Sequence, residues 1–140
     1  MRGDHPIKHW SKTQSTVALS SGEAELTGIC NGASIGLGLQ AVAKDLGLKW
    51  ELCVHSDATA AIGICRRKGL GKIRHLAVAD LWIQDKVKAK YFLLKKVLGA
   101  DNPADMMTKH INRNDMCKHM KNIGLYWEEG RASSAPELAQ

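Results

Sequence analysis

The sequence predicts a mixed α/β domain, and three observations carry that prediction. A β-prone run, Thr16 to Leu19, hands directly into a long helical segment that Ser20 can cap. A compact apolar run, Trp50 to Ser56, is bounded by Gly47 and Asp57 and followed by a short helical stretch. An amphipathic pattern from His75 to Lys90 then gives way to a second strand-like run, Tyr91 to Leu98. Strands alternating with helices point to helices packed on a sheet.

Ile7 to Leu19 reads as an extended strand, polar at first (Lys8, Ser11, Lys12, Gln14) and β-prone at its end. Ser20 and Glu23 have capping-box spacing, so a helix is expected from about Ser21 to Asp45, stopping at Gly47. It carries Gly28, Gly32, Gly36 and Gly38, each costing about 1 kcal/mol relative to Ala in a helix interior. The first three fall at i+4 steps, which predicts close backbone approach to the sheet. A membrane dimer face is the rival, and Glu25, Asn31, Gln40 and Lys44 argue against it.

Trp50 to Ser56 reads as a core strand. Asp57 sits at its carboxyl end, where chemistry collects in open α/β sheets; it could equally be an N-cap for the short helix Ala58–Cys65. From His75 to Lys90, Leu76, Ala79, Ile83 and Val87 form an apolar stripe, while Asp80, Gln84 and Lys88 share a polar face. Gly99–Asp101 is a turn. Asn102 as N-cap and Pro103 as first helical residue place Asp105 in the first turn of the next helix. A last helix, about Arg113 to Ile123, has Met116, Met120 and Ile123 on one side and ends at Gly124. Residues 1–127 are expected to form the domain and residues 128–140, which lack periodicity, a disordered tail.

At 140 residues the chain has the size of one domain. Its net charge of +6 and pI of about 9.3 fit an anionic partner, and equally a basic, solvated surface. Cys30, Cys53, Cys65 and Cys117 show no C-x-x-C pair, which favours four buried thiols in a reducing compartment over a metal knuckle or disulfide framework. The first residues form no apolar leader, and no run of about 18 uncharged apolar residues is read as a membrane span. An intracellular location, cytoplasm or nucleus, is expected, with no membrane partner.

Two sets of residues carry the chemistry. Arg66, Arg67, Lys68, Lys72, Arg74 and His75 lie within ten residues, with Gly69 and Gly71 keeping the loop supple. Such clusters bind nucleic-acid phosphates through charge, and a solvated loop is the bland alternative. Glu25, Asp57 and Asp105 each stand at a strand-to-helix junction. Converging carboxylates repel unless a cation sits between them, and an all-oxygen set suits a hard divalent ion. The macrodipole alone also favours acidic residues at helix starts.

Four ordered blocks add a resemblance. Trp10-Ser11-Lys12-Thr13-Gln14-Ser15-Thr16-Val17-Ala18-Leu19-Ser20-Ser21-Gly22-Glu23-Ala24-Glu25-Leu26 resembles a segment of the ribonuclease H domain of copia-type retrotransposon polyproteins. His55-Ser56-Asp57-Ala58-Thr59-Ala60-Ala61-Ile62, Lys72-Ile73-Arg74-His75-Leu76 and Asn102-Pro103-Ala104-Asp105-Met106-Met107-Thr108-Lys109 resemble its later blocks, in the family's order. The resemblance implies a ribonuclease H-like fold, a mixed sheet with helices, here lacking the family's first β-hairpin. It implies hydrolysis of the RNA strand of RNA–DNA hybrids, with Glu25, Asp57 and Asp105 holding Mg2+ or Mn2+. Glu23 is then the outer glutamate, and the basic loop lies on the substrate side. The reverse transcriptase portion of the polyprotein is the implied upstream partner. The family hairpin carries a further catalytic aspartate, so this chain alone is expected to cleave little. A catalytically inactive remnant that at most binds nucleic acid, or a polypeptide without its own function, is the alternative.

Overall fold

The computed structural model describes residues 6–14, 17–69, 71, 81–127 and 130. The chain divides into two units, Lys12–Asn102 and Met1–Ser11 with Pro103–Gln140, each taken by itself below. Among the described residues the architecture is mixed α/β, with four α-helices and a small parallel sheet.

In the first unit, helix α1 spans Ser21–Asp45. Ser20 is its N-cap, and its Oγ accepts from the Glu23 N–H at 3.3 Å. The Glu23 carboxylate reaches back to accept from the Leu19 N–H at 3.0 Å, one residue before the position a capping box uses. At the other end Gly47 has φ +76°, the Gly47 N–H donates to Lys44 O, and the Leu48 N–H donates to Ala43 O. That pair of bonds is a Schellman stop, which satisfies carbonyls the helix leaves open.

Leu26, Ile29, Cys30 and Ala33 of α1 fall at i, i+3, i+4 and i+7 and are buried. They meet Ala61, Ile62, Ile64 and Cys65 of α2 (Thr59–Arg66), Ile83 of α3 (Trp82–Lys88), and Phe92 and Leu94. By length and composition α1 could cross a membrane, contrary to the sequence expectation. In the fold its apolar stripe lies in this core.

Strands β1 (Cys53–Ser56) and β2 (Leu93–Lys96) pair in parallel, Cys53 opposite Leu93 and Ser56 opposite Lys96. Bonds from Leu93 N–H to Leu52 O and Val97 N–H to Ser56 O extend the ladder by one step at each end. Among the described residues the expected three-strand sheet is therefore two strands, each shorter than expected. Ile7 to Leu19 is not a strand at its described residues, since no described segment pairs with it; Val17 and Leu19 are largely exposed. Nor is β1 a fully buried strand. It alternates, with Ser56 buried and Val54 half-buried while Cys53 and His55 face out.

Helix α3 falls within the second half of the expected His75–Lys90 helix, and residues 72–80 lie outside the described set. It stops with Lys90 at φ +56°, the Lys90 N–H donating to Val87 O and the Tyr91 N–H to Lys86 O. The Lys86 ammonium lies 3.8 Å from the centre of the Tyr91 ring, closing that turn by a cation–π contact.

The expected close approach of the helix glycines holds at one position. A Cβ on Gly36 would stand 2.6 Å from Leu52 Cδ1, so Leu52 fills a notch there. Gly28, Gly32 and Gly38 have nothing within 4 Å of a Cβ position.

In the second unit, Pro103–Met107 is a 3-10 helix with Asp105 in its first turn, and α4 spans Arg113–Asn122. Asn112 caps α4, accepting from the Asp115 N–H at 2.9 Å, and Gly124 at φ +70° ends it. Of the side that carries Met116, Met120 and Ile123, Met120 and Ile123 are half-buried. His119 is the buried residue at 3% exposure, while Met116 is 37% exposed. The His119 Nδ1 has no hydrogen-bond partner among the described residues. Residues 128, 129 and 131–140, the expected tail, lie outside the described set.

The four thiols also divide. Cys30 and Cys65 are buried, whereas Cys53 and Cys117 are exposed, so the expectation of four buried thiols is corrected. Burial pushes the Cys65 thiol up from 9.0 to about 11. A thiol-specific chromophore should therefore react at once with Cys53 and Cys117 and reach Cys30 and Cys65 only on unfolding. The raised Cys65 pKa is a contribution to stability that is complete below pH 9 and lost as pH rises through 11. Thermal melts across that window check the sign. A fast reaction of all four thiols at neutral pH would contradict the packing.

Candidate functional site

Parallel pairing sets the geometry. The carboxyl ends of β1 and β2 lie side by side, and the chain leaves β1 through Asp57 and β2 through Val97, Leu98 and Gly99. A Cβ on Gly99 would lie 3.7 Å from Asp57 Oδ2, so this carboxylate rests against the turn after β2. Asp57 is half-buried. It is not the cap of α2. The N-cap is Ala58, with no side-chain cap bond, and the Ala58 N–H donates to Ser56 Oγ at 3.2 Å. The capping alternative for Asp57 thus falls away.

Helix α1 delivers its first turn to the same end. A Cβ on Gly22 would stand 3.3 Å from Ala60 Cβ, so the first turns of α1 and α2 touch. Two helix N-termini side by side carry partial positive charge, which favours ionised carboxylates there. The expected roles of the two glutamates differ in burial. Glu23 is 8% exposed and Glu25 is exposed, so Glu23 is the inner glutamate, not the outer one. The cause is helical periodicity. Glu23 lies three residues before Leu26 and seven before Cys30, on the buried stripe, and Glu25 is turned about 200° from it.

Asp105 belongs to the other unit. Its Oδ2 accepts from the Lys109 ammonium at 2.9 Å, an i,i+4 ion pair, and its side chain is 16% exposed. Thr108 Oγ1 donates to Ala104 O at 3.3 Å. The Ala-Asp-x-x-Thr-Lys pattern is thus locally self-bonded, and the carboxylate already holds a cation. Among the described residues no three His, Cys, Asp or Glu side chains gather where they could hold a metal ion.

The basic residues are placed more definitely. Arg66 donates from its guanidinium to Leu94 O at 2.9 Å, fixing it across the α2–β2 contact. The Arg67 guanidinium lies over Gly71, where a Cβ would be 2.7 Å from it. Gly69 and Gly71 have φ of +77° and +60°, backbone that glycine adopts without strain; Leu70 and residues 72–75 of the expected supple loop lie outside the described residues. Arg66, Arg67, Lys68 and Lys88 line a cavity of about 340 Å3, with Gln84 and Asp85 in its wall. Lys72, Arg74 and His75 lie outside the described residues.

Gln84 is buried where a polar, solvent-facing position is expected. Its i−4 and i+4 neighbours put it on a polar face, yet it is 8% exposed. Its Oε1 accepts from the Gly69 N–H at 2.8 Å, and its Nε2 donates to Ile64 O at 2.9 Å and Gly69 O at 3.1 Å. It staples the basic turn to α3. Lys88 joins the cavity from the same helix, and no sequence signal linked either residue to Arg66.

No family model matches the chain, and no solved structure matches it. The retrovirus-related Pol polyprotein from transposon TNT 1-94 of Nicotiana tabacum is 32% identical over 124 residues, 86% of this chain. The corresponding polyproteins from transposons RE1 and RE2 of Arabidopsis thaliana are each 26% identical over 126 residues, 88% of it. The chain spans 9% of the length of each of these relatives. Over most of its length the chain is a distant homologue of copia-type retrotransposon Pol polyproteins.

Proposed function

We propose that the chain is a ribonuclease H-type part of such a polyprotein, with a ribonuclease H-like fold, acting on RNA–DNA hybrids that the reverse transcriptase portion supplies. The observation that supports this is the contact of the first turns of α1 and α2 at the carboxyl end of the sheet. It brings Asp57 and the first turn of α1, which carries Glu23 and is followed by Glu25, to one end of a parallel sheet, the place where such folds do chemistry. Arg66, Arg67 and Lys68 serve the phosphate backbone, and Lys72, Arg74 and His75 continue that set along the sequence.

Mg2+ or Mn2+ suits the donor types, since Glu25, Asp57 and Asp105 are all hard oxygen ligands. Such an ion supplies charge neutralisation for phosphodiester hydrolysis. The chain's own part is to present Asp57 against the Gly99 turn and Glu25 in the open. Asp105 must share or release Lys109 to take part. That ion pair, with no three ligands gathered among the described residues, favours a second reading, a module that binds hybrids without cutting them.

One preparation tests both. Hybrid binding should be salt-sensitive, and replacing Arg66 and Arg67 with Ala should lower affinity about tenfold and flatten the salt slope by about 2. Binding indifferent to both arginines would remove the substrate assignment. Cleavage in Mg2+ or Mn2+ that Asp57→Asn abolishes supports the ribonuclease reading; cleavage that survives it refutes this site. Tight binding without cleavage selects the second reading.

A further inference from the structure

A second concavity, of about 550 Å3, lies at the amino ends of the strands. Trp50 precedes β1 by three residues and Tyr91 precedes β2 by two, whereas Asp57 follows β1. At strand rise, Trp50 and Asp57 are about 20 Å apart. The groove is thus remote from the carboxylate end.

Its walls combine two chemistries. Trp50 and Tyr91 supply aromatic surface, and Lys44, Lys49 and Lys86 supply charge. None of its lining residues is acidic, and the nearest carboxylates in sequence, Asp45, Glu51 and Asp85, are exposed outside it, Asp85 lining the other cavity. Helices α1 and α3 both end here, each bringing about half a negative charge. Three lysines exceed that, so the groove is net positive. One wall is fixed, because Gln40 Nε2 donates to Trp50 O at 2.7 Å. The Tyr91 ring is held by Lys86 yet is 54% exposed, which leaves surface for a planar partner.

We propose that this groove binds single-stranded nucleic acid, with an unpaired base stacked on Tyr91 and neighbouring phosphates on Lys44 and Lys49. Aromatic faces between lysines are the pattern by which strands are held without sequence preference. A duplex keeps its bases inside and cannot use Tyr91. The groove is a binding site in its own right and does not depend on hydrolysis at Asp57.

The test is fluorescence anisotropy with a labelled twelve-residue oligodeoxythymidylate, the folded state of each variant being checked by thermal melting. Tyr91→Leu should weaken binding about tenfold and Tyr91→Phe should leave it within twofold. Lys44→Ala with Lys49→Ala should reduce the salt slope by about 1.4. Inorganic polyphosphate should compete equally well before and after Tyr91→Leu. Equal affinity of Tyr91→Leu and Tyr91→Phe would overturn the stacking role. An unchanged salt slope in the lysine pair, or equal losses for a duplex of the same length, would overturn the groove. Arg66→Ala with Arg67→Ala tests the other basic cavity, so the failure of one site is distinguishable from failure of the other.

Discussion

Gln84→Met is expected to lower unfolding stability by about 2–4 kcal/mol, a large share of the roughly 5–15 kcal/mol a domain possesses. The side chains are close in volume, so a cavity is not the cause. Three hydrogen bonds disappear instead. Ile64 O is a carbonyl in the last turn of α2, left without a helical partner, and Gly69 loses partners for both its N–H and its carbonyl. The buried Ile64 carbonyl left orphaned costs about 1–3 kcal/mol, and the Gly69 groups, on an exposed residue that water can reach, add less. Urea denaturation measures the loss, and a midpoint shift below about 0.5 kcal/mol would show that water replaces the amide. Anion affinity should fall as well, because the staple holds the turn that carries Arg67 and Lys68. Gln84→Glu sharpens the test. A carboxylate can still accept from the Gly69 N–H but faces two carbonyl oxygens, whereas a protonated carboxyl can donate to one of them. Its deficit relative to Gln84 should therefore shrink as pH falls through the carboxyl range and grow as pH rises.

The parts of the fold that local chemistry decides were legible in the residues. Ser20, Glu23 and Gly47 set both ends of α1, and Asn112 and Gly124 set those of α4. Asp57 was placed at a strand end by the Gly47-to-Asp57 bounds alone. What depended on partners was not legible. Ile7 to Leu19 has strand composition, but a strand exists only by pairing, and no described segment pairs with it. Glu23 and Glu25 are two residues apart, and only the stripe of Leu26, Cys30 and Ala33 decides which one turns inward. The capping role of Glu23 holds in the fold while its outer placement does not, because a cap residue can also stand on the core face. The basic cavity needs α3 packed beside α2, and the aromatic groove draws on three separate segments. Neither is visible in any window of sequence.

The glycines of α1 give the second large effect, and its sign differs along one helix. Gly28→Ala, Gly32→Ala and Gly38→Ala together should raise stability by about 2–3 kcal/mol, since each gains helix propensity and none meets an atom within 4 Å. Gly36→Ala should instead lose about 1 kcal/mol net. It gains the same propensity, but its Cβ would meet Leu52 Cδ1 at 2.6 Å and Cδ2 at 2.9 Å, and overpacking costs about 1–3 kcal/mol. Leu52 is packed against the core cluster, so it cannot simply swing away. Combining Gly36→Ala with Leu52→Ala should cost less than the sum of the two single changes, the mark of a direct contact. Nothing within the described residues explains why Gly28, Gly32 and Gly38 lack side chains. If the triple substitution leaves stability raised but weakens nucleic-acid binding, that face of α1 lies against the ligand. If it lowers stability, another surface packs closely there, and the expected glycine approach extends beyond Gly36.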